Sequence, residues 1–233
     1  MIIRIEAKDR YRADHGWLSS YHLFSFADYY DQENMNFGVL RVFNDDTVDG
    51  NNGFGKHGHR DMEIVTIVLE GELTHEDTLG NRKTIRAGDV QYMSAGMGVM
   101  HSEMNLRDEP VHLYQIWLQP AKTGLVPQYA QKNFSNREKN VLIPVASGIA
   151  KGDAIIIRSY ATVHMCFLEK EKSFTATLSE GRTLFIYITK GALNINGIIF
   201  KKGDQARIFD EENVYIQAQE DADCIIIGME GVN

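Results

Sequence analysis

The sequence has few cysteines and no long apolar run. Cys166 and Cys224 are its two cysteines among 233 residues, so a disulfide framework is not expected and a four-cysteine zinc site is excluded. No stretch of about 18 apolar residues is present to cross a membrane, and the charged start MIIRIEAKDR is unlike a signal peptide. We therefore expect a soluble cytoplasmic protein without a membrane partner, in which any metal site uses histidine and carboxylate ligands.

Basic residues are also scarce relative to acidic ones. The chain has 24 Lys and Arg against 32 Asp and Glu, a formal net charge of -8. Nucleic-acid binding draws much of its affinity from clustered Lys and Arg side chains, and the basic residues here are scattered. Direct nucleic-acid binding is therefore not expected, and small molecules or proteins are the expected partners.

Helical periodicity is missing too, whereas short apolar runs rich in Ile, Val, Phe and Tyr are frequent. Gly, Asn and Asp recur between these runs, a spacing typical of β-sandwiches and barrels. A doubly wound α/β fold would need helices between the strands. The sequence therefore predicts an all-β protein, with strands in residues 37–43, 63–71, 111–118, 153–160, 183–191 and 224–230.

A weak internal repeat relates residues 68–93 to residues 188–209. In each copy a strand ends in Gly, a hairpin follows, and a second strand leads into Gly-Asp and a third strand. Two β-domains of one architecture are the simplest explanation. Residues 120–140 hold two of the four prolines and lose the strand pattern. We interpret them as the linker between domains at 1–135 and 136–233.

Two pairs of potential ligands with equal spacing indicate a metal site. Residues i and i+2 of a strand point to the same side, so His57 and His59 can present two imidazoles to one ion. His101 and Glu103 have the same spacing and follow a glycine-rich turn. Two such strands would form a site of three imidazoles and one carboxylate, with one or two positions of a six-coordinate ion left open.

Glu63 is the alternative fourth ligand because it closely follows the His-x-His motif. An extended chain would place it roughly 13 Å from His59, so Glu103 is preferred and Glu63 is expected to have a structural or supporting role. Asp61, Glu63 and Asn105 are the nearest candidates in sequence for orienting the ligand imidazoles. The remaining histidines are expected to be surface or hydrogen-bonded core groups: His15, His22, His75, His112 and His164.

Several motifs in order resemble the pirin family, a two-domain branch of the cupin superfamily. The resemblance is densest in GFGKHGHRDMEIVTIVLEGELTHEDTLGN (53–81) and GDVQYMSAGMGVMHSEMN (88–105), and it extends to residues 15–31, 37–48, 115–118 and 124–134. It implies a bicupin of two Greek-key β-barrels, with metal only in the N-terminal one and a C-terminal barrel without metal ligands. By position, the family's ligands fall on His57, His59, His101 and Glu103.

The resemblance also implies a function. Some pirin relatives resemble quercetin 2,3-dioxygenases, which open the central ring of a flavonol with O2 and release carbon monoxide. The expected cofactor is one divalent transition metal, iron first, with nickel, manganese, copper, cobalt or zinc as alternatives. Glu103 would then also be the catalytic base. The alternative is a regulatory or sensor protein without turnover, whose metal affects a protein partner; a purely structural metal is a third reading.

Overall fold

The structure is a computed structural model and describes residues 1–230. The expected C-terminal domain at 136–233 therefore ends in three residues that lie outside the described part. Within residues 1–230 the helical elements are two short 3-10 turns, Ala7–Asp9 and Gln32–Asn34, and no helix there is long and apolar enough to cross a membrane. The prediction of an all-β protein is confirmed.

The strands are short and joined by turns. In the first half of the chain they are β1 (Ile2–Ile5), β2 (Tyr11–Asp14), β3 (Leu18–His22), β4 (Leu40–Val48), β5 (Gly53–His59), β6 (Glu63–Glu70), β7 (Glu72–Asp77), β8 (Arg82–Arg86), β9 (Asp89–Ser94), β10 (Val99–Met104) and β11 (Val111–Leu118). In the second half they are β12 (Gln128–Asn133), β13 (Leu142–Ser147), β14 (Ile155–Ile156), β15 (Ala161–Leu168), β16 (Ser173–Thr177), β17 (Thr183–Lys190), β18 (Ala192–Ile195), β19 (Ile198–Lys201), β20 (Gln205–Ile208), β21 (Asn213–Ala218) and β22 (Ala222–Met229).

These strands form two compact units, each with a larger and a smaller antiparallel sheet. The N-terminal unit has a larger sheet in the order β12-β9-β6-β11-β4-β3-β2 and a smaller sheet in the order β5-β10-β7-β8. In the C-terminal unit the larger sheet contains β1-β20-β17-β22-β15-β13 and the smaller has the order β16-β21-β18-β19. The two units therefore have the same layered architecture.

The internal repeat is confirmed by equivalent pairings. In the N-terminal unit β7 pairs with β8 and β6 pairs with β9; in the C-terminal unit β18 pairs with β19 and β17 with β20. Gly71 and Gly191 occupy matching corners, with φ of 75° and 71°. A Cβ atom would lie 2.8 Å from a backbone oxygen at Gly71 and 2.3 Å from one at Gly191, so both corners require glycine.

In two segments, the observed units depart from the predicted domain boundary at 135/136. Residues 1–10 belong to the C-terminal unit, because β1 pairs with β20 and Arg4 forms an ion pair with Asp204 at 2.8 Å. Residues 155–159 belong to the N-terminal unit, which otherwise comprises residues 11–136.

Two local predictions were wrong. The strand expected at 153–160 is reduced to the two residues of β14, because the backbone N–H of Arg158 donates to the Glu63 carboxylate and its carbonyl accepts from Ala121. The linker expected at 120–140 contains β12, which pairs with β9 along its whole length. β12 is an edge strand with mostly half-buried side chains, so it lacks the apolar pattern that identifies a strand in sequence.

The interiors of the two units differ in polarity. A continuous apolar cluster that includes Cys166 and Cys224 fills the C-terminal unit, and both thiols are free. The N-terminal unit has apolar clusters around Val68 and Ile64, and it also buries many polar side chains. The buried polar residues in and around the predicted metal site are Asp46, His75, Gln91, His101, Glu103 and Gln115.

Candidate metal centre

The two predicted ligand pairs lie on neighbouring strands. His57 and His59 are on β5, His101 and Glu103 are on β10, and His101 is directly opposite His57 in the antiparallel register. The register shifts between His101 and Glu103, where Glu103 comes opposite Phe54. The smaller sheet of the N-terminal unit therefore places the two pairs side by side along β5 and β10.

The three imidazoles converge. Ligand atoms of His57, His59 and His101 all lie within 4.8 Å of one another, and Nε2 of His57 is 3.1 Å from Nε2 of His101. Two nitrogens bound at right angles to one ion at about 2.1 Å would be roughly 3 Å apart. The spacing of these two nitrogens thus fits adjacent positions on a metal ion.

Glu103 joins this cluster through His101. One of its ligand atoms lies within 4.8 Å of those of His101 and His75. The Glu103 side chain is buried; its Oε2 accepts a hydrogen bond from Nε2 of Gln115 at 2.8 Å, and Oε1 has no hydrogen-bond partner. A buried carboxylate oxygen without a partner is costly unless a cation or a proton compensates it.

Burial shifts the pKa values of His59, His101 and Glu103. Burial, and then the neighbouring His57, lowers the pKa of His59 to about 4. Burial and the imidazoles of His57, His59 and His75 lower the pKa of His101 to about 2. Burial raises the pKa of Glu103 above the usual glutamate range. Neutral imidazoles at His59 and His101 beside a buried carboxyl group are donors that a divalent cation stabilises, so these residues fit a metal ion.

The hydrogen bonds that orient the ligand rings come from unexpected residues. Nδ1 of His57 lies 2.8 Å from the carbonyl oxygen of Gly55, which as an acceptor requires a proton on Nδ1 and leaves Nε2 free. Nδ1 of His101 lies 3.4 Å from Nδ1 of His75. His75 is fully buried on β7. Its position near the metal centre was missed because only strand pairing brings β7 beside β10.

The three residues expected to orient the imidazoles bind elsewhere, so that prediction was wrong. Asp61 accepts a hydrogen bond from the backbone of Gly124 at 2.7 Å, and Asn105 accepts from Arg107 and donates to backbone carbonyls of the surrounding loops. Each lies close to a ligand in sequence, but its polar atoms face a loop.

The Glu63 carboxylate is held by hydrogen bonds within the protein. Ser94 donates to its Oε1 at 2.6 Å, and the Tyr92 hydroxyl and the backbone N–H of Arg158 donate to its Oε2. Both carboxylate oxygens are therefore engaged, and the side chain is buried. Glu63 ties residues 155–159 to β6, in keeping with the structural role expected for it.

An aromatic cavity of about 520 Å³ adjoins the cluster. His57, His59 and Glu103 line it. The ring of Trp117 lies 4.8 Å from His59, between centroids, in an edge-to-face arrangement. The volume lies within the range of small-molecule sites. The other aromatic side chains of the wall are His15, Trp17, His22, Phe26 and Phe54.

Asp46 is a second acid of this cavity that sequence reasoning missed. It is 2% exposed, and its Oδ1 has no hydrogen-bond partner. Burial raises the pKa of Asp46 to about 7. Its only sequence signal was an acid at an inward-facing position of β4, which the adjacent turn-like Asn44-Asp45-Asp46 pattern concealed.

Comparison with known proteins gives a family match in each of the two units. The family model described as Pirin matches residues 5–118, and the model described as quercetinase C-terminal cupin domain matches residues 144–229. A protein of Escherichia coli strain K12 named quercetin 2,3-dioxygenase is 39% identical over 230 residues, which are 98% of this chain and 99% of that protein.

Two further relatives agree with this assignment. A pirin-like protein of Caulobacter vibrioides is 42% identical over 217 residues, covering 92% of this chain and 94% of that protein. The crystal structure of the bacterial pirin YhhW of Escherichia coli in complex with nickel(II) has a TM-score of 0.95 and 38% identity, and the match covers 100% of both chains. Identity at this level over nearly the whole length establishes common descent and the bicupin fold. The chain belongs to the pirin family.

Proposed function

We propose that this protein is a metal-dependent dioxygenase that opens the central ring of a flavonol or a related phenolic with O2. The observation that carries the proposal is that His57, His59 and Glu103 line an aromatic cavity, while the ligand atoms of His101 lie within 4.8 Å of those of all three. The name of the Escherichia coli relative, quercetin 2,3-dioxygenase, supports the same reaction class. The substrates would be the phenolic and O2, and the proposed location is the cytoplasm.

The proposed metal ligands are His57, His59, His101 and Glu103. Their donor atoms are nitrogen and oxygen, which suit first-row divalent ions in general. Iron is our first choice, and the nickel(II) in the related Escherichia coli structure supports nickel as the main alternative. When bound, such an ion supplies Lewis acidity toward a hydroxyl or enol oxygen and redox chemistry toward O2.

The cavity wall would bind and desolvate the phenolic. Trp17 lies edge-to-face against Phe54 with ring centroids 5.4 Å apart, and Phe26 meets Trp117 in the same way at 5.3 Å. These rings offer flat apolar surfaces to an aromatic substrate and exclude water from it. Hydroxyl groups of the substrate would find acceptors in the polar part of the wall, including Asp46.

Glu103 is the proposed catalytic base. Its Oε2 is fixed by Gln115, whose Oε1 in turn accepts from the indole N–H of Trp117 at 3.1 Å. Oε1 of Glu103, which has no partner within the protein, would accept the hydroxyl proton of the substrate when it is not engaged by the metal. Burial raises the pKa of Glu103 in the metal-free protein, and the position of Glu103 in the cavity wall would let its carboxylate take a proton from bound substrate. Loss of the hydroxyl proton would make the substrate ring electron-rich and reactive toward O2.

Purified protein loaded separately with each divalent ion tests the proposal. Oxygen uptake and the decay of the flavonol's visible absorbance would be followed together. We expect turnover by the wild type and at least about a 100-fold loss in Glu103→Gln and His101→Ala, because each loses a ligand. His164→Ala removes a buried histidine from the C-terminal unit and is the matched control, with activity retained.

A protein that binds metal but shows no turnover would favour a regulatory function. If the loaded protein binds one ion per chain but consumes no O2 with any flavonol or simpler phenolic, the dioxygenase proposal fails. A metal-dependent interaction with a protein partner would then be the remaining function for this centre.

A further inference from the structure

A buried chain of hydrogen-bonding groups leads away from the metal centre. Oδ2 of Asp77 lies 3.0 Å from Nε2 of His75, and Nδ1 of His75 lies 3.4 Å from Nδ1 of His101. The opposite nitrogen of His101, Nε2, faces His57. β7 and β10 are paired, with Asp77 opposite His101 and His75 opposite Glu103. The four groups thus form one line from an aspartate to the ligand cluster.

This chain is shielded from water. The side chains of His75 and Asp77 have no solvent exposure, and His101 is 1% exposed. The Tyr129 ring lies over the His75 ring with centroids 4.9 Å apart. Water cannot replace a missing partner at these positions, so each ring nitrogen depends on its protein neighbour.

The aspartate end of the chain is a fixed acceptor. Oδ1 of Asp77 accepts from the backbone N–H groups of Leu79 and Asn81, and Oδ2 accepts from the Asn81 side-chain amide. Burial raises the pKa of Asp77, but its hydrogen bonds from His75, Asn81 and Leu79 outweigh burial and hold the pKa below the usual aspartate value. Since three donors already point at the Asp77 oxygens, Asp77 is an acceptor in this chain, and Nε2 of His75 must be the donor to it.

One placement of protons leaves Nε2 of His101 free for a metal. His101 must then carry its proton on Nδ1. That proton faces Nδ1 of His75, which must be a lone pair, so His75 carries its own proton on Nε2 and donates it to Asp77. The carboxylate at the far end therefore dictates the tautomer of the ligand through an intervening imidazole.

We propose that His75 and Asp77 are positioning residues that hold His101 in the Nδ1–H tautomer and so keep its Nε2 available as a ligand. Metal-bound histidines commonly donate their second ring nitrogen to a carboxylate or carbonyl; here a second histidine lies between the ligand and the carboxylate. The inference rests on the proposed metal site, but not on turnover, because it concerns proton placement and metal affinity.

Asp77→Asn is the sharpest variant. The amide oxygen would keep the backbone donors of Leu79 and Asn81, so the amide N–H group would point at Nε2 of His75. His75 would then carry its proton on Nδ1 and donate to Nδ1 of His101, which moves the His101 proton to Nε2 and blocks the ligand atom. An aspartate-to-asparagine change beside a catalytic histidine is known to trap the wrong tautomer.

Nitrogen-15 NMR of the histidine side chains reads the tautomer directly in metal-free protein. In the wild type we expect His101 to be protonated at Nδ1, and in Asp77→Asn at Nε2. Titration with Co²⁺ or Ni²⁺ against a chromophoric chelator should show about a 10- to 100-fold weaker affinity in the variant. The visible spectrum of the Co²⁺ form should change as well, because the coordination sphere changes.

The matched control is Asp45→Asn. Asp45 pairs with His112 at 2.7 Å in the same unit, and this pair contains no proposed ligand, so its substitution should leave the His101 tautomer and the metal affinity unchanged. An Nε2–H tautomer of His101 in the wild type overturns the inference without any variant. Equal affinity and an unchanged tautomer in a folded Asp77→Asn protein overturn it too. Failure of the dioxygenase reaction alone leaves these measurements unaffected.

Discussion

Nε2 of His57 and Nε2 of His101 lie 3.1 Å apart across β5 and β10. Two imidazole nitrogens at this distance either share one proton or bind one cation. Nδ1 of His57 is committed to the Gly55 carbonyl, and Nδ1 of His101 faces His75, so each ring turns an Nε2 atom toward the other. Shared cation binding is the arrangement that satisfies both rings and the free oxygen of Glu103 together.

Metal binding should therefore stabilise the fold. An ion at a free concentration about 100 times its dissociation constant adds about 2.7 kcal/mol to the free energy of unfolding. We expect EDTA to lower the Tm of the wild type by several degrees and to leave that of His101→Ala unchanged, as followed by circular dichroism. An equal response of the two proteins to EDTA would contradict the proposed site.

Asp46 should make the stability fall as the pH rises. Its folded-state pKa is raised to about 7, so between about pH 4 and 7 the folded protein keeps a proton that the unfolded chain releases. The free energy of unfolding therefore decreases through this window. Asp46→Asn removes this contribution, and the variant should gain up to about 4 kcal/mol relative to wild type between pH 4.5 and 8.

Urea unfolding at several pH values measures this difference. Asp28→Asn, at an exposed position, is the control and should follow the wild type. A gap between Asp46→Asn and wild type that stays constant with pH would mean that Asp46 is ionised in the folded protein throughout.

Substitutions of Glu63 and Glu103 should affect different properties: the first the stability of the fold, the second the affinity for metal. Glu63→Gln disturbs a buried carboxylate with donors from Tyr92, Ser94 and Arg158, so the free energy of unfolding should fall by about 3 kcal/mol, with metal affinity unchanged. Glu103→Gln should lose metal affinity. Urea unfolding and metal titration give the two quantities, and Glu70→Gln, at the exposed end of β6, is the control. Weak metal binding in Glu63→Gln would revive Glu63 as the ligand.

Gln115 should act on catalysis through Glu103. Gln115→Leu removes the hydrogen bond that fixes Oε2 of Glu103, and kcat should fall by about 10- to 100-fold while KM changes little, because the base is misplaced but the aromatic wall remains. Steady-state kinetics on a flavonol measure both constants. Gln119→Leu, an exposed position just beyond the same strand, is the control; a rise in KM alone would instead assign Gln115 to substrate binding.

Local sequence patterns were enough to predict much of the fold and of the candidate metal site. Alternating apolar runs and turn residues predicted an all-β chain, and the repeat around Gly71 and Gly191 predicted two units of one architecture, because strand and corner requirements are local. The i, i+2 spacing of His57 with His59 and of His101 with Glu103 indicated the candidate site for the same reason: a strand alone places such residues on one side.

Tertiary structure decided what depends on strand pairing. β12 has no apolar pattern because an edge strand is held by its backbone bonds to β9, and residues 155–159 lie in the N-terminal unit because the Glu63 carboxylate binds their backbone. The sequence could not connect His75 or Asp46 with the centre, since both reach it from other strands. Periodicity shows which side of a strand a residue faces, but only the pairing order β5-β10-β7 shows which side chains meet there.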